Sequence, residues 1–264
     1  MLSSLFKNCR RNQVNSYKEV LKEIYKTSPP KYNLIFMIEA IKYIPIADDD
    51  DIFIEFLLNN FTSDNLVYVL SALDTVDKLL EKYPTIPKIS SIKEHLIKNM
   101  NSNHFEAEEY IKTKILSKLG YPIELDINKY ENKISDISLS NLKTATSWIV
   151  KRIQIEMLYD YAISNIKTSG LYIAIHFCNI LKVSAYESVR NKAGEMLVKL
   201  IPYLTMEQRN DIVVELLRAL EIEGYQFTKY IPEYLGQIVL YLKPVELNEV
   251  VDDFVEKSKL QVCK

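Results

Sequence analysis

Glycine and proline are scarce in this chain, which has five glycines and nine prolines among 264 residues. Sheet proteins use glycine in the turns between strands, so the scarcity indicates helices joined by short connections. The five glycines also stand apart from one another, so no G-x-G-x-x-G or G-x-x-x-x-G-K-S/T loop is present to hold a phosphate. The G-x-S-x-G elbow of serine hydrolases is absent too. These absences argue against the common nucleotide-binding and hydrolase classes.

Cysteine and long apolar runs are also sparse. The three cysteines, Cys9, Cys178 and Cys263, are far apart, which suits a reducing compartment without structural disulfides. Cys178 and His176 share one apolar run and are predicted to be buried, His176 with a hydrogen-bond partner. Met1–Arg11 places its basic residues after its apolar ones, the reverse of a secretory signal. We therefore expect a soluble cytoplasmic protein without membrane association.

A basic excess is missing as well, since 33 lysines and arginines are opposed by 35 aspartates and glutamates. A dedicated nucleic-acid domain is usually much more basic, so no nucleic-acid partner is expected. His104 and Glu108 are four residues apart on a predicted helix, with Glu106 and Glu109 nearby, but the ligands that a metal site also needs from elsewhere in the chain are not apparent. Asp48–Asp51 is expected to cap the helix that follows, because a divalent-cation site there would need an unusual loop. No catalytic residue, metal or cofactor is therefore predicted.

Apolar residues recur at helical spacing along most of the chain, which predicts an all-α fold. The pattern divides into an N-terminal helical region at 1–120, a connecting loop at 121–138 and a repeat region at 139–264. Asp64 is expected to cap one helix, and Gly170 to separate two others. Predicted helices occupy 14–27, 32–44, 52–58, 64–82, 90–100, 104–119, 140–167, 171–182, 185–203, 206–222, 227–242 and 245–259.

A sequence echo is the most informative feature of the chain. Residues 186–217 match residues 224–255 at a fixed offset of 38, and eight pairs beyond the identical ones keep an apolar residue. An echo of this length indicates stacked helical units, each of which needs a neighbour to bury its apolar stripe. The identical pairs are Glu195/Glu233, Leu197/Leu235, Tyr203/Tyr241, Leu204/Leu242, Asn210/Asn248 and Val213/Val251.

The first unit of this echo resembles a HEAT repeat. Ser188–Leu200 resembles the Val-Arg-x-x-Ala-x-x-x-Leu-x-x-Leu core of a HEAT first helix, and 211–217 is similar to the start of its second helix. The resemblance covers 185–259 and implies an α-solenoid, a curved right-handed superhelix whose second helices line a concave binding face. Because about three units are needed for stability, the helices in 140–182 are expected to supply another.

The second unit departs from the HEAT pattern. Thr228 stands at the position of Arg190, and Ile231 at the position of Ala193. Pro232 is tolerable in the first turn of a helix but would kink the helix further inside.

Charge is distributed unevenly along the chain. Residues 207–256 carry eleven acidic and four basic residues, a net charge of −7, whereas residues 1–46 carry a net charge of +5. An acidic concave face would repel phosphates and attract a basic peptide, although the acids could instead form only a solvated helix surface. The opposite signs could also serve head-to-tail self-association. The candidate partner-binding residues are Glu215, Arg218, Glu246, Glu249, Asp252 and Asp253.

These features together predict a non-enzymatic scaffold or adaptor that binds a protein partner of basic character. One alternative is a HEAT-like nucleic-acid-binding or DNA-repair enzyme, to which Trp148, Lys151 and Arg152 draw attention. Another is a regulatory module or fragment of a larger protein or multi-subunit enzyme. The last repeat has no distinct polar capping unit, which adds the expectation of a homo-oligomer formed through that repeat.

Overall fold

The fold is known from a computed structural model. Every regular element within the part of the chain that it describes is a helix, so the predicted all-α class is confirmed. None of these helices is both long and apolar enough to cross a lipid bilayer. The chain divides into two compact units, Met1–Leu125 and Asp126–Lys264. The described residues are 11–27, 34–47, 50–83, 85–100, 106–131, 147–220 and 229–262.

The first unit is organised around its longest helix, α4. This helix packs against α2, α3 and α6, while α1 packs on α3 and α5 on α6. Its buried face carries an apolar stripe at helical spacing, as the sequence pattern predicts. The helices of this unit are α1 Arg11–Lys26, α2 Leu34–Ile41, α3 Asp51–Asn60, α4 Leu66–Lys82, α5 Ile89–Lys98 and α6 Glu106–Lys118.

Two buried aspartates on α4 form ion pairs with neighbouring helices. Asp74 Oδ2 lies 2.5 Å from Lys42 Nζ, just beyond the end of α2, and Asp77 Oδ1 lies 2.6 Å from Lys118 Nζ on α6. Both carboxylates are almost completely shielded from solvent. A buried charge is tolerated only when it is paired in this way, so these contacts constrain how α2 and α6 pack on α4.

The acidic run was predicted to cap the helix that follows it, and for Asp50 this prediction is wrong. It occupies the N-cap position of α3, but its side chain makes no capping hydrogen bond to that helix. Its buried carboxylate instead accepts a hydrogen bond from Ala47 N and pairs with Lys18 and Lys22 of α1. Asp48 and Asp49 lie outside the described residues.

Among its described residues, the second unit contains six helices whose contacts follow a regular order. Helices α7, α9 and α11 contact one another in sequence, and so do α8, α10 and α12. Helix α9 also packs on α8, and α11 packs on α10. The helices are α7 Trp148–Ser164, α8 Ile166–Val183, α9 Glu187–Leu200, α10 Met206–Ala219, α11 Ile231–Ile238 and α12 Pro244–Val262, with 3₁₀ turns at Ile127–Tyr130, Ile201–Tyr203 and Val239–Tyr241.

The offset of 38 in the sequence is reproduced in the helix boundaries. α9 ends at Leu200 and α11 at Ile238; each is followed by a three-residue 3₁₀ turn, and α10 and α12 then begin 38 residues apart. Leu204 and Leu242 close these turns with nearly the same extended backbone, ψ 153° and ψ 163°. Pro232 is the second residue of α11, where its missing N–H costs no helical hydrogen bond. The two units of the echo therefore share a local structure as well as a sequence.

A glycine and a tyrosine hold α11 against α9. The Tyr234 ring lies so close to Gly194 that a methyl group there would collide with it. The ring is buried, and its hydroxyl donates a 3.1 Å hydrogen bond to Asn191 O. Glycine at this position allows the two helices to approach closely.

Two predicted boundaries are wrong. Gly170 does not separate two helices: it is buried within α8, and the break comes earlier, at Asn165. A Cβ at Gly170 would lie 3.2 Å from the Leu204 side chain, so this glycine serves close packing. Asp64 does not cap α4, because Asn65 accepts the capping hydrogen bond from the second residue of that helix at 3.0 Å.

Two ionisable side chains of α8 are buried in the second unit. Cys178 is fully buried as predicted, and burial raises the pKa of its thiol to about 12. His176 is also buried, which lowers its pKa and favours the neutral ring. The prediction of a hydrogen-bonded histidine is only half right, since His176 Nε2 has no hydrogen-bond partner among the residues that the structure describes. The Tyr172 ring stacks on the imidazole at 6.5 Å.

The contact between Gly194 and Tyr234 can be tested by a double-mutant cycle. Gly194→Ala should destabilise the unit by about 1–3 kcal/mol, because the added methyl displaces a buried ring and its hydrogen bond. In a Tyr234→Ala background the same change should be neutral or stabilising by up to about 1 kcal/mol, since alanine favours a helix. Urea unfolding followed by the fluorescence of Trp148, the chain's one tryptophan, reports on this unit. An equal cost in both backgrounds would contradict the contact.

Candidate functional site

A groove of about 330 Å³ lies between α10 and α12. It is the place where the structure gathers the largest share of the candidate residues. Its lining combines apolar side chains with carboxylates, which is typical of sites that take an amphipathic ligand. The lining residues are Asn210, Val213, Val214 and Leu217 of α10, and Glu246, Glu249, Val250 and Asp253 of α12.

Helical periodicity explains why these residues meet. On each helix the four lining positions follow the spacing i, i+3, i+4, i+7, so each set forms a single stripe two turns long. Val213 and Leu217 are buried and form the floor, while Val214 is 43% exposed and points its surface to the opening. The α12 side contributes most of the polar groups. The groove thus has an apolar floor beside an acidic wall.

Glu246 has a structural task within this wall. Its Oε2 accepts a 3.0 Å hydrogen bond from Lys243 N at the start of α12, and its Oε1 accepts one of 3.1 Å from Asn210 Nδ2 on α10. These hydrogen bonds hold the pKa of Glu246 below its usual range. Glu246 therefore caps α12 and ties it to α10, and its oxygens are already engaged.

Glu249 and Asp253 supply the remaining acidity of the groove. They lie one helical turn apart on α12, Glu249 exposed and Asp253 half-buried. A rise of about 1.5 Å per residue separates their Cα atoms by roughly 6 Å along the axis. Two carboxylates at this spacing can meet two cations presented one turn apart on another helix.

Arg209 binds the two turns that precede the groove helices α10 and α12. Its Nε donates 3.0 Å hydrogen bonds to Ile201 O and Leu204 O, and its Nη2 donates one of 2.9 Å to Pro202 O. Its Nη1 reaches the next unit and donates a 3.0 Å hydrogen bond to Tyr241 O. One guanidinium thus joins the 3₁₀ turn before α10 to the 3₁₀ turn before α12.

The other three candidate residues lie outside the groove lining. Glu215 lies 3.0 Å from Lys182 Nζ of α8 and 3.3 Å from Arg218 Nη1, so its charge is compensated within the unit. Arg218 is exposed apart from this contact, and Asp252 is exposed on α12. Glu215 therefore links α8 to α10.

Sequence reasoning missed five lining residues because it followed charge alone. Two of them, Asn210 and Val213, belong to the identical pairs of the echo and carried a usable signal. Arg209 is one of the four basic residues in 207–256, and the echo gives it no signal because the second unit has Leu247 at the equivalent position. The missed lining residues are Asn210, Val213, Val214, Leu217 and Val250.

The residues of the enzyme alternative lie within the first five residues of α7. Arg152 Cζ is 5.5 Å from the centre of the Trp148 ring, and Lys151 Nζ is 5.4 Å from the centre of the Tyr186 ring. Burial lowers the pKa of Lys151. Each cation is thus in contact with an aromatic ring of the same unit, which accounts for its placement without a ligand.

The histidine candidate can be judged only in part. His104 lies outside the described residues, and Glu108 pairs with Lys112 at 2.6 Å. In the portions of the chain that the structure describes, no three histidine, cysteine, aspartate or glutamate side chains are grouped as a metal site requires.

Comparison of the chain with protein-family models, curated proteins and solved structures finds no match. The HEAT-like resemblance therefore rests on the residues of the two units alone.

Arg209 should be hard to replace even by another cation. Arg209→Lys keeps the charge but loses the planar fork that reaches four carbonyls, so it should destabilise the second unit by about 1–3 kcal/mol. Arg218→Lys is the matched control on the same helix, and its exposed ion pair should cost less than about 0.5 kcal/mol. Urea unfolding followed by Trp148 fluorescence measures both. Equal costs for the two variants would show that Arg209 does not join the turns.

The link between Glu215 and Lys182 should depend on pH. The hydrogen bond from Lys182 holds the pKa of Glu215 below its ordinary value of 4.5. A carboxylate with a lowered pKa stabilises the folded state above its unfolded pKa, and this contribution is lost as the pH falls through the folded pKa. Wild type should therefore be more stable than Glu215→Gln at neutral pH, and the difference should shrink as the pH falls below 4.5 and through the lowered pKa of Glu215. A difference that grows on acidification would contradict the pairing.

Proposed function

We propose that this chain is a non-enzymatic helical-repeat scaffold or adaptor that binds a protein partner through the groove between α10 and α12. The observation that carries the proposal is the convergence of Glu246, Glu249 and Asp253 on an apolar floor. In this proposal α7–α12 are three stacked helix pairs of a HEAT-like solenoid, and the second helices of the last two pairs, α10 and α12, form the binding site. The orderly contacts within each row of helices support this arrangement.

The electrostatics of the groove favour a polypeptide over a nucleic acid. Glu249 and Asp253 would face a bound phosphate with like charge, whereas a lysine or arginine side chain would be attracted. A polypeptide can also bury apolar side chains on the groove floor, which a nucleic-acid backbone cannot do. Each leucine-sized side chain that is buried there contributes about 1.5–3 kcal/mol to binding. Two or three such anchors with flanking charges suffice for the centre of a specific interface.

Site-specific photo-crosslinking tests the proposal. A photoreactive amino acid at Val214, inside the groove, should capture a protein from an extract of the source cells at least tenfold more than one at Tyr172. Tyr172 is the matched control, because it is 68% exposed on α8 and is not among the groove residues. The capture at Val214 should fall at least tenfold when Glu249→Lys and Asp253→Lys are added.

The result that opposes the proposal is equally specific. Equal capture at Val214 and Tyr172 would show that the groove is not the partner-binding site. Capture at Val214 that is unchanged by the two lysine substitutions would show the same. Capture of nucleic acid at Trp148, with none of protein at Val214, would favour the enzyme alternative.

A further inference from the structure

One side of the helix pair α11–α12 exposes a surface that the preceding pair buries. The echo makes Val251 and Val255 of α12 equivalent to Val213 and Leu217 of α10. Val213 and Leu217, which lie beside α12, are only 2% and 5% exposed, whereas Val251 and Val255 are 50% and 42% exposed. The pair α11–α12 therefore presents the side against which, one repeat earlier, another helix pair packs. We call this surface the outer face.

A cleft of about 200 Å³ opens on the outer face between α11 and α12. A Cβ added to Gly236 would meet no atom within 4 Å, so this glycine leaves the cleft open. An apolar cavity of about 150 Å³ accommodates benzene, so the cleft can take one large apolar side chain. It shares Val250 with the groove between α10 and α12 and is otherwise separate from it. Its lining residues are all apolar, namely Pro232, Leu235, Gly236, Val239, Val250 and Val251.

The outer face also carries a side chain that suits such a cleft. Leu240 follows the lining residue Val239 in the 3₁₀ turn after α11. It is 78% exposed, more than any other large apolar side chain in the described part of the chain. A protruding leucine and an apolar cleft on one surface make that surface self-complementary. A two-fold interface between identical chains requires this property, because each residue pair in it occurs twice.

The spacing of residues along α11 supplies a register for this pairing. When α11 of two copies run antiparallel about a two-fold axis at Ile238, position 240 of each copy lies opposite position 236 of the other. Leu240 then lies over Gly236 of the second copy, at the open part of the cleft.

Charge agrees with the same register. Glu233 and Lys243 each stand five positions from Ile238, on opposite sides of it, and both are exposed. The antiparallel arrangement therefore brings Glu233 of each copy towards Lys243 of the other. Opposite charges that meet across an interface favour the correct partner and fix its register.

We propose that two copies of this chain pair through their outer faces about a two-fold axis, with Leu240 of each copy in the cleft of the other. The pairing goes beyond the proposed function and does not depend on it. The 19 residues of α12 make it the longer helix of the face. Two helices side by side, about 10 Å wide each and the longer about 28 Å long, give a face of roughly 500 Å². A standard interface buries about 800 Å² per partner, so the dimer should be weak and reversible.

Sedimentation equilibrium of the full chain tests the proposal. A concentration-dependent dimer with a Kd on the order of 10 µM is expected. Leu240→Glu should raise this Kd at least tenfold, because the apolar cleft cannot solvate a carboxylate. Val20→Glu is the matched control, since Val20 is 59% exposed on α1, outside this unit. The control should change the Kd less than threefold, and circular dichroism should show both variants to be folded.

Filling the cleft separates dimerisation from folding. Gly236→Leu places a side chain in open space, and it replaces the residue with a low helix propensity by one that favours a helix. The variant should therefore be at least as stable to urea as wild type, while its dimer Kd rises at least tenfold.

A charge reversal tests the register. Glu233→Lys alone and Lys243→Glu alone should each weaken the dimer, because like charges then meet twice across the axis. The double variant restores opposite charges, so its Kd should return to within threefold of wild type.

Four results would overturn the proposal. The first is a chain that stays monomeric at about 500 µM, where a micromolar dimer would be nearly complete. The second is a dimer that Val20→Glu disperses and Leu240→Glu does not, which would give the interface to α1. The third is a dimer that survives Gly236→Leu. The fourth is a double charge variant as weak as the single ones.

Discussion

The hydrogen bonds of one guanidinium set the geometry on which the candidate site depends. Apolar burial draws α10 and α12 together, but it is non-directional and leaves their register open. Arg209 removes this freedom, because its planar fork binds carbonyl oxygens of two 3₁₀ turns 38 residues apart. Asn210 and Glu246 add a second directional contact one residue further along. Polar contacts at the start of the two helices therefore define the groove, whose lining continues along α10 and α12.

The sequence predicted the parts of this architecture that depend on local pattern. Apolar periodicity located the helices, and the echo anticipated helix boundaries 38 residues apart. It could not show which residues face each other, because the facing stripes begin at Asn210 and Glu246, which differ by 36 positions rather than 38. Each unit of the echo contacts the other through a different side of its helices. Residues at the same position of the two units therefore do not face each other. Gly170 misled for a related reason, since its packing against Leu204 is invisible to any local rule.

Counting charges overstated what is available to partners. The net charge of +5 at residues 1–46 includes Lys18, Lys22 and Lys42, which are paired with the buried Asp50 and Asp74 further along the chain. Glu215, on the acidic side, is compensated by Lys182 of a neighbouring helix. Such pairs form between elements distant in sequence, so a running sum cannot separate structural charges from free ones. The acidic wall of the groove, Glu246, Glu249 and Asp253, is therefore smaller than the running sum suggests.

The depth of Cys178 has a practical consequence for the second unit. A thiol that is fully enclosed by α8 and its neighbours, with its pKa raised to about 12, cannot be alkylated from the native state. Its modification must wait until the surrounding helices separate. Once Cys9 and Cys263 are replaced by serine, the rate at which Cys178 is labelled reports how often these openings occur. Labelling of Cys178 therefore measures how often the helices around it open in the native state. A ligand that binds the groove and stabilises these helices should slow the labelling.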